Sequence, residues 1–228
     1  MSADVQKRAA GEAAAALVED GMTVGLGTGS TAAWFVKALA ARGLAAIRGV
    51  PTSDATADLA RSLGIPLLDL DAAASIDLTI DGADEIGPGL ALIKGGGAAL
   101  LREKLVWEAS KRCVVIADAA KHGAGFGAFA LPVEVVAFGH GTTAARIDAA
   151  LGALGLAAKA VLRVKDGAPA RTDNGNLIYD LPCGAIPDPA ALANALKRIT
   201  GVVEHGLFLN LAERALIGTD DGVITLYP

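Results

Sequence analysis

Residues 92–110, LIKGGGAALLREKLVWEAS, set a lysine, three consecutive glycines and a glutamate within one short stretch. Lys94 closes an apolar run, and Gly95, Gly96 and Gly97 make a flexible turn whose backbone N–H groups can receive an anion. A helix is predicted to begin near Ala98. On that helix Glu103 has Ala99, Leu100, Val106 and Trp107 three and four positions away, and all four are apolar. A carboxylate buried among apolar groups is costly, and burial raises its pKa. Glu103 is therefore expected either to meet a cation, for which Lys94 is the natural candidate, or to serve as a tuned acid–base group. The ordinary alternative is a glutamate at the rim of a buried face that reaches out to water. Lys104, with Glu108 at i+4, reads as a surface pair, and Arg102 as turned away from the apolar stripe.

Two further segments carry groups of the same kind. DGADE, Asp81 to Glu85, follows the apolar run SIDLTI, so Asp81, Gly82, Ala83 and Asp84 come at the carboxyl end of a strand. Carboxylates there can orient sugar hydroxyls or exchange protons with them. Asp-Gly also marks ordinary turns, and the motif alone does not separate the two readings. GLGTGST, Gly25 to Thr31, follows one strand and opens a helix, so amides of Gly29 and its neighbours and the hydroxyls of Thr28, Ser30 and Thr31 can bond phosphate oxygens. Ser30 stands where a dinucleotide fingerprint needs glycine, and the Gly-Lys-Ser/Thr of a nucleotide P-loop is missing, so a small phosphate fits better than a nucleotide. A tight turn with Ser30 as N-cap is the structural alternative. TDNGN, Thr172 to Asn176, reads as a hairpin turn, and His205 as a packed or hydrogen-bonded histidine.

The elements that must position these groups alternate. From Met22 to about Ala119 the strand-like runs TVGL, AIRGV, PLLDL, SIDLTI, LALI and CVVIAD are interleaved with helical ones, the pattern of a mainly parallel, Rossmann-like α/β sheet covered by helices on both faces. In such sheets ligands bind beyond the carboxyl ends of the strands. After the Gly-rich KHGAGFGAFALP a strand-helix-strand-strand-helix series predicts a small α+β, ferredoxin-like domain. The division expected is 1–129 with 206–228 as the main domain and 130–205 as the small one, and the chain closes with a hairpin turned at Asp221-Gly222.

With 228 residues, 53% of them hydrophobic, the chain can bury a sizeable core. The net charge is −5 and no basic stripe occurs, which argues against nucleic acid as a partner. No apolar run approaches the ~20 residues of a membrane span, and the N-terminal stretch, with Asp4, Glu12 and Glu19, reads as a helix of the mature protein rather than a leader. A cytoplasmic location is expected. Cys113 and Cys183 lack metal or redox spacing, and the three histidines form no ligand pattern, so neither a metal nor a cofactor is expected.

Taken in order, GLGTGST, TIDGADEI, LIKGGGAALLREK, ALPVEVV, TDNGNLIYD and GVVEHGLF resemble the type A ribose-5-phosphate isomerase family over essentially the whole chain. The resemblance implies interconversion of D-ribose 5-phosphate and D-ribulose 5-phosphate through an enediolate. It implies Glu103 as the base, with Asp81, Asp84 and Lys94 around the sugar. Thr28, Gly29, Ser30, Thr31, Gly82, Ala83, Gly95, Gly96, Gly97 and Lys121 would complete the substrate site, and Lys7 is a further candidate phosphate contact. A homodimer or larger homo-oligomer with a lid-like small domain is implied as well. Other readings remain: a sugar-phosphate deaminase or lactonase would release ammonia or acid, and a sensor domain would bind without turnover.

Overall fold

The computed structural model describes residues 2–123 and 125–228. Helix α1 (Ala3–Ala15) leads into β1 (Thr23–Leu26), α2 (Ser30–Ala41), β2 (Arg48–Pro51), α3 (Asp54–Ser62) and β3 (Leu78–Gly82). Two short strands, β4 (Glu85–Ile86) and β5 (Leu92–Ile93), precede α4 (Leu100–Glu108) and β6 (Cys113–Asp118). Then come β7 (Leu131–Val135), α5 (His140–Ala153), β8 (Val161–Leu162), β9 (Val164–Lys165), β10 (Ala168–Pro169), β11 (Leu177–Leu181), α6 (Pro189–Lys197) and β12 (Val202–His205). The chain ends with β13 (Leu207–Phe208), β14 (Arg214–Thr219) and β15 (Gly222–Leu226).

Six strands form the main sheet in the order β15-β14-β6-β3-β1-β2, parallel throughout except for the antiparallel pair β14–β15. All residues of β1 and β6 are buried, as expected of strands covered on both faces. On one face Ala10 and Ala14 of α1 and Phe35, Val36 and Leu39 of α2 pack on Val24, Leu26, Ile80 and Ile116. On the other, Trp107 of α4 packs with Val115, Ala215 and Ile217. The strand order reverses beside β1: the chain moves outward to β2, then returns on the far side as β3. The loops leaving β1 and β3 therefore diverge, and their carboxyl ends open a crevice at the switch point.

The small unit is β7-α5-β8-β11-α6-β12 with strand order β12-β7-β11-β8, an antiparallel ferredoxin-like sheet into which the β9–β10 hairpin is inserted. Its core gathers Leu131, Val133, Ile147, Leu177, Leu192 and Leu196. A third sheet, β13-β5-β4, is antiparallel and made of two-residue strands. LALI thus lies outside the parallel sheet, because the five residues between β4 and β5 are too few for the crossover that a parallel partner needs. PLLDL is not a strand either. It contributes one bridge, Gly49 with Leu67, before a 3₁₀ turn at Leu70–Ala72, and Pro66 has no N–H with which to extend a ladder. The last hairpin turns one residue early, at Asp220-Asp221, with Gly222 already paired to Thr219.

Candidate active site

Lys94, immediately after β5, is buried and sits at the centre of the site. Its Nζ lies 3.0 Å from Asp81 Oδ2 and 3.3 Å from Glu103 Oε1, and it donates to the carbonyl of Gly82 at 2.6 Å. Burial alone would lower the lysine's pKa, but the charges of Asp81 and Glu103 overcome it and hold the group above its usual value. The ammonium form of Lys94 is the favoured one here.

Asp81 is fully buried at the end of β3, and both its oxygens are engaged. Oδ1 accepts from the amides of Thr28 at 3.0 Å and Gly82 at 2.7 Å, while Oδ2 faces Lys94 and accepts from Trp107 Nε1 at 3.2 Å. This tie between β1 and β3 requires Gly27, since a Cβ there would lie 2.2 Å from Asp81 Oδ1.

Glu103 lies in the first turn of α4 with its side chain buried, and Oε2 has no hydrogen-bond partner among the described residues. Burial is the main reason its pKa is raised to about 8; the charge of Asp81 adds to the rise and Lys94 opposes it. A carboxyl tuned to that range, one oxygen against an ammonium and the other unengaged, can take up and return a proton near neutrality.

Lys94 and Glu103 form the floor of a cleft of about 130 Å³ that is also lined by Lys7, Thr28, Gly29, Ser30, Thr31, Gly82, Ala83, Asp84, Gly95, Gly97 and Lys121. Lys7 reaches it from α1 and donates to Ser30 Oγ at 3.1 Å. With Lys121 it gives the mouth two ammonium groups beside the start of α2, a suitable place for a phosphate. Gly29 is the N-cap of α2, with φ 109°, and Ser30 is its first helical residue, so Ser30 does not cap the helix as its sequence position suggests. Thr28 turns its hydroxyl away, toward Thr52 at 2.7 Å and Ser53 at 2.8 Å. Gly96 is not in the lining: its amide donates to Asp84 Oδ2 at 2.7 Å and holds that carboxylate at the rim.

Trp107 was legible only as an apolar neighbour of Glu103, yet its indole N–H bonds Asp81 and its ring packs edge-on against Phe208, with centroids 5.6 Å apart. Lys104 is not a surface residue. It is buried and donates to Glu204 Oε1 at 2.8 Å instead of pairing with Glu108. TDNGN is the expected turn, with Gly175 at φ 79°; Arg102 bonds its Asn174 and reaches Asp54 at 2.7 Å. His205 is buried, and its Nδ1 accepts from the amide of Leu207. Among the described residues no group of three or more His, Cys, Asp or Glu is placed to hold a metal ion, and no helix is long and apolar enough to cross a membrane.

A tuned carboxyl against a buried ammonium, below a cationic mouth at the switch point of an open parallel sheet, is an arrangement suited to proton transfer on a small anionic substrate. Comparison with known proteins narrows the class. The profile of ribose 5-phosphate isomerase A (phosphoriboisomerase A) matches residues 48–222. Ribose-5-phosphate isomerase A of Caulobacter vibrioides strain NA1000 is 68% identical over 228 residues, all of both chains. Among solved structures, ribose 5-phosphate isomerase from Plasmodium falciparum superposes with TM-score 0.92 at 38% identity over 99% of each chain. A D-ribose-5-phosphate isomerase in complex with phospho-erythronic acid gives TM-score 0.92 at 36% identity over 100% of each. The chain belongs to the ribose 5-phosphate isomerase A family.

Proposed function

We propose that Glu103 carries the proton in the interconversion of D-ribose 5-phosphate and D-ribulose 5-phosphate, the reaction of the family to which this chain belongs. The observation that carries the assignment is the buried Glu103 carboxyl, 3.3 Å from Lys94 through one oxygen and unengaged through the other. With the substrate's phosphate at Ser30, Thr31, Lys7 and Lys121, the open-chain aldose runs down the cleft toward Glu103. The carboxylate takes the proton from C2, the electron pair forms the C1–C2 double bond, and the C1 carbonyl becomes an oxyanion facing the Lys94 ammonium. Return of the same proton to C1, with transfer of the hydroxyl proton from O2 to the O1 oxyanion as C2 becomes the carbonyl, gives the ketose. Asp84 is better placed than Asp81 to exchange protons with the sugar hydroxyls and open the ring, because it lines the cleft while both oxygens of Asp81 are already occupied. Phospho-erythronic acid, the ligand named for one relative, pairs a phosphate with a planar anionic carboxylate, the charge pattern that an enediolate phosphate also has.

The test is ketose formation from ribose 5-phosphate in excess chelator. Glu103→Gln preserves shape and removes the base, and general-base catalysis is worth ~10²–10⁴-fold, so kcat should fall by that order while the protein stays folded. Turnover within about threefold of wild type in folded Glu103→Gln would overturn the assignment.

The same reading includes 130–205 as a small domain beside the site and a cytoplasmic homo-oligomer as the working form. The ferredoxin-like topology of β7 to β12 supports the first, and the free thiols of Cys113 and Cys183 suit a reducing compartment. Sedimentation of the purified protein measures the assembly.

A further inference from the structure

Glu103 is flanked on α4 by two cations that tie the helix to the small unit, and they differ in burial. Arg102 meets Asp54 and Asp173 at the surface, where such pairs hold little. Lys104 is buried, as is its partner. Its ammonium donates to Glu204 Oε1 at 2.8 Å and to the carbonyl of His205 at 2.7 Å, both at the end of β12. Glu204 is itself fixed: its Oε1 also accepts from the amide of His205 at 2.9 Å, and Oε2 accepts from Lys197 at 2.9 Å.

The segment that receives Lys104 also fixes Lys94. The amide of Lys94 donates to Gly206 O at 2.9 Å, and Leu207 pairs with Ile93 directly before the lysine. The approach is close enough that a Cβ on Gly206 would lie 2.1 Å from Lys94 O. Lys94 and Lys104 even share a ring, with their ammonium groups 5.4 and 4.8 Å from the centroid of Phe208. Residues 204–207 thus hold the backbone of the site's cation and, through Lys104, the helix that carries its base.

We propose that Lys104 and Glu204 are a positioning pair for the isomerase reaction, fixing α4 against the 204–207 segment so that Glu103 is held in register with Lys94 and the substrate. Neither residue lines the cleft, so neither is a catalytic residue. The proposal rests on Glu103 being the base. Apolar side chains of similar volume usually hold a buried interface as firmly as an ion pair does. What the pair adds is direction, since in the observed placement of α4 the Lys104 ammonium meets both Glu204 Oε1 and the His205 carbonyl. A misplacement of about 1 Å in a reacting group costs up to ~10²-fold in rate.

The experiment compares Lys104→Met, Lys104→Arg and Glu204→Gln with wild type, and repeats Lys104→Met on a Glu103→Gln background, measuring kcat and KM for ribose 5-phosphate and thermal unfolding. Lys104→Met should lower kcat ~10–100-fold with KM within about threefold, because the phosphate end of the cleft does not depend on α4. Lys104→Arg should restore most of the loss. On the Glu103→Gln background the same substitution should change the residual rate by less than about twofold, there being no base left to misplace. A kcat within about twofold of wild type in Lys104→Met, or an equal loss in both backgrounds, overturns the proposal. If Lys104→Met fails to fold, Glu204→Gln decides by the same criteria, since it keeps the volume but removes the charge that fixes the Lys104 ammonium. Wild-type turnover in Glu103→Gln would sink the base assignment itself, whereas an inactive Glu103→Gln beside a fully active Lys104→Met would sink the positioning pair alone.

Discussion

Glu103 is tuned by where it sits. Burial raises its pKa to about 8, and the native state therefore favours its protonated form over a range in which the unfolded chain, with an ordinary glutamate near 4.5, is ionised. The stabilisation this gives is complete below pH 4.5 and is lost as pH rises through about 8. Glutamine has no such loss. Glu103→Gln should match wild type in thermal unfolding near pH 4.5 and exceed it by more than ~2 °C at pH 9, checked by calorimetry across the range. With Glu103 as the proposed base, activity runs the other way, since a base must be unprotonated: kcat/KM for ribose 5-phosphate should climb through pH 8, and that limb should vanish in the variant. Trp107 allows a separate test of Asp81. Trp107→Phe keeps the ring contact with Phe208 but removes the donor to Asp81 Oδ2, so stability should fall by ~1–3 kcal/mol, read by urea unfolding, with a loss in kcat as Asp81 slackens against Lys94.

At the scale of elements, β12 holds the groups that make the interface with α4 sensitive to acid. Burial would raise the pKa of Glu204, but the Lys104 charge and its hydrogen bonds bring it down to about 2, so its stabilisation is present above 4.5 and lost as pH falls through about 2. His205 is buried and pushed down to about 4, the neighbouring Lys104 charge adding to burial, so its share is present above 6.5 and lost as pH falls through about 4. The difference in melting temperature between wild type and Glu204→Gln should therefore shrink from pH 5 to pH 2.5, while His205→Asn should flatten the wild-type loss between pH 6.5 and 4. Of this only the packed, hydrogen-bonded state of His205 was legible in the sequence, and α4 shows why. Glu103 stood out because its i±3 and i±4 neighbours are on the same helix, a local rule that the sequence contains. The same rule pairs Lys104 with Glu108, its local partner, whereas Glu204, a hundred residues on, takes it in space. The parallel strands were legible from apolar runs between helices. LALI was equally apolar yet joined a different sheet, because connection length, not composition, decides which strand it can pair with.

The whole molecule has two units, each with buried apolar clusters of its own, and by default units joined by modest contacts unfold separately. Here β5 and β13 work against that. Alternate residues of a strand point to opposite sides, so Ile93 and Leu207 enter the core of the small unit with Leu131 and Val133, while Leu92 and Phe208 enter the main core with Trp107 and Val115. Each two-residue strand is thus shared, and opening either unit displaces a strand whose neighbouring residue anchors the other. Lys94 follows directly on Ile93, which places the site on this shared strip. Truncating Leu207 to alanine removes a fully buried side chain at the junction, at a cost of ~2–4 kcal/mol. Wild type and Leu207→Ala should each unfold in urea in one transition. Fluorescence of Trp34 and Trp107, which report the main unit, should coincide with hydrogen exchange in β7, β11 and β12, and the variant's midpoint should be lower by both probes. Two separated transitions in wild type would show that the shared strip does not couple the cores. A variant that moved only the exchange of β7, β11 and β12 would show that Leu207 serves the small unit alone. A common shift, with activity lost over the same urea range, would mean that base and cation are held together only while both cores are closed.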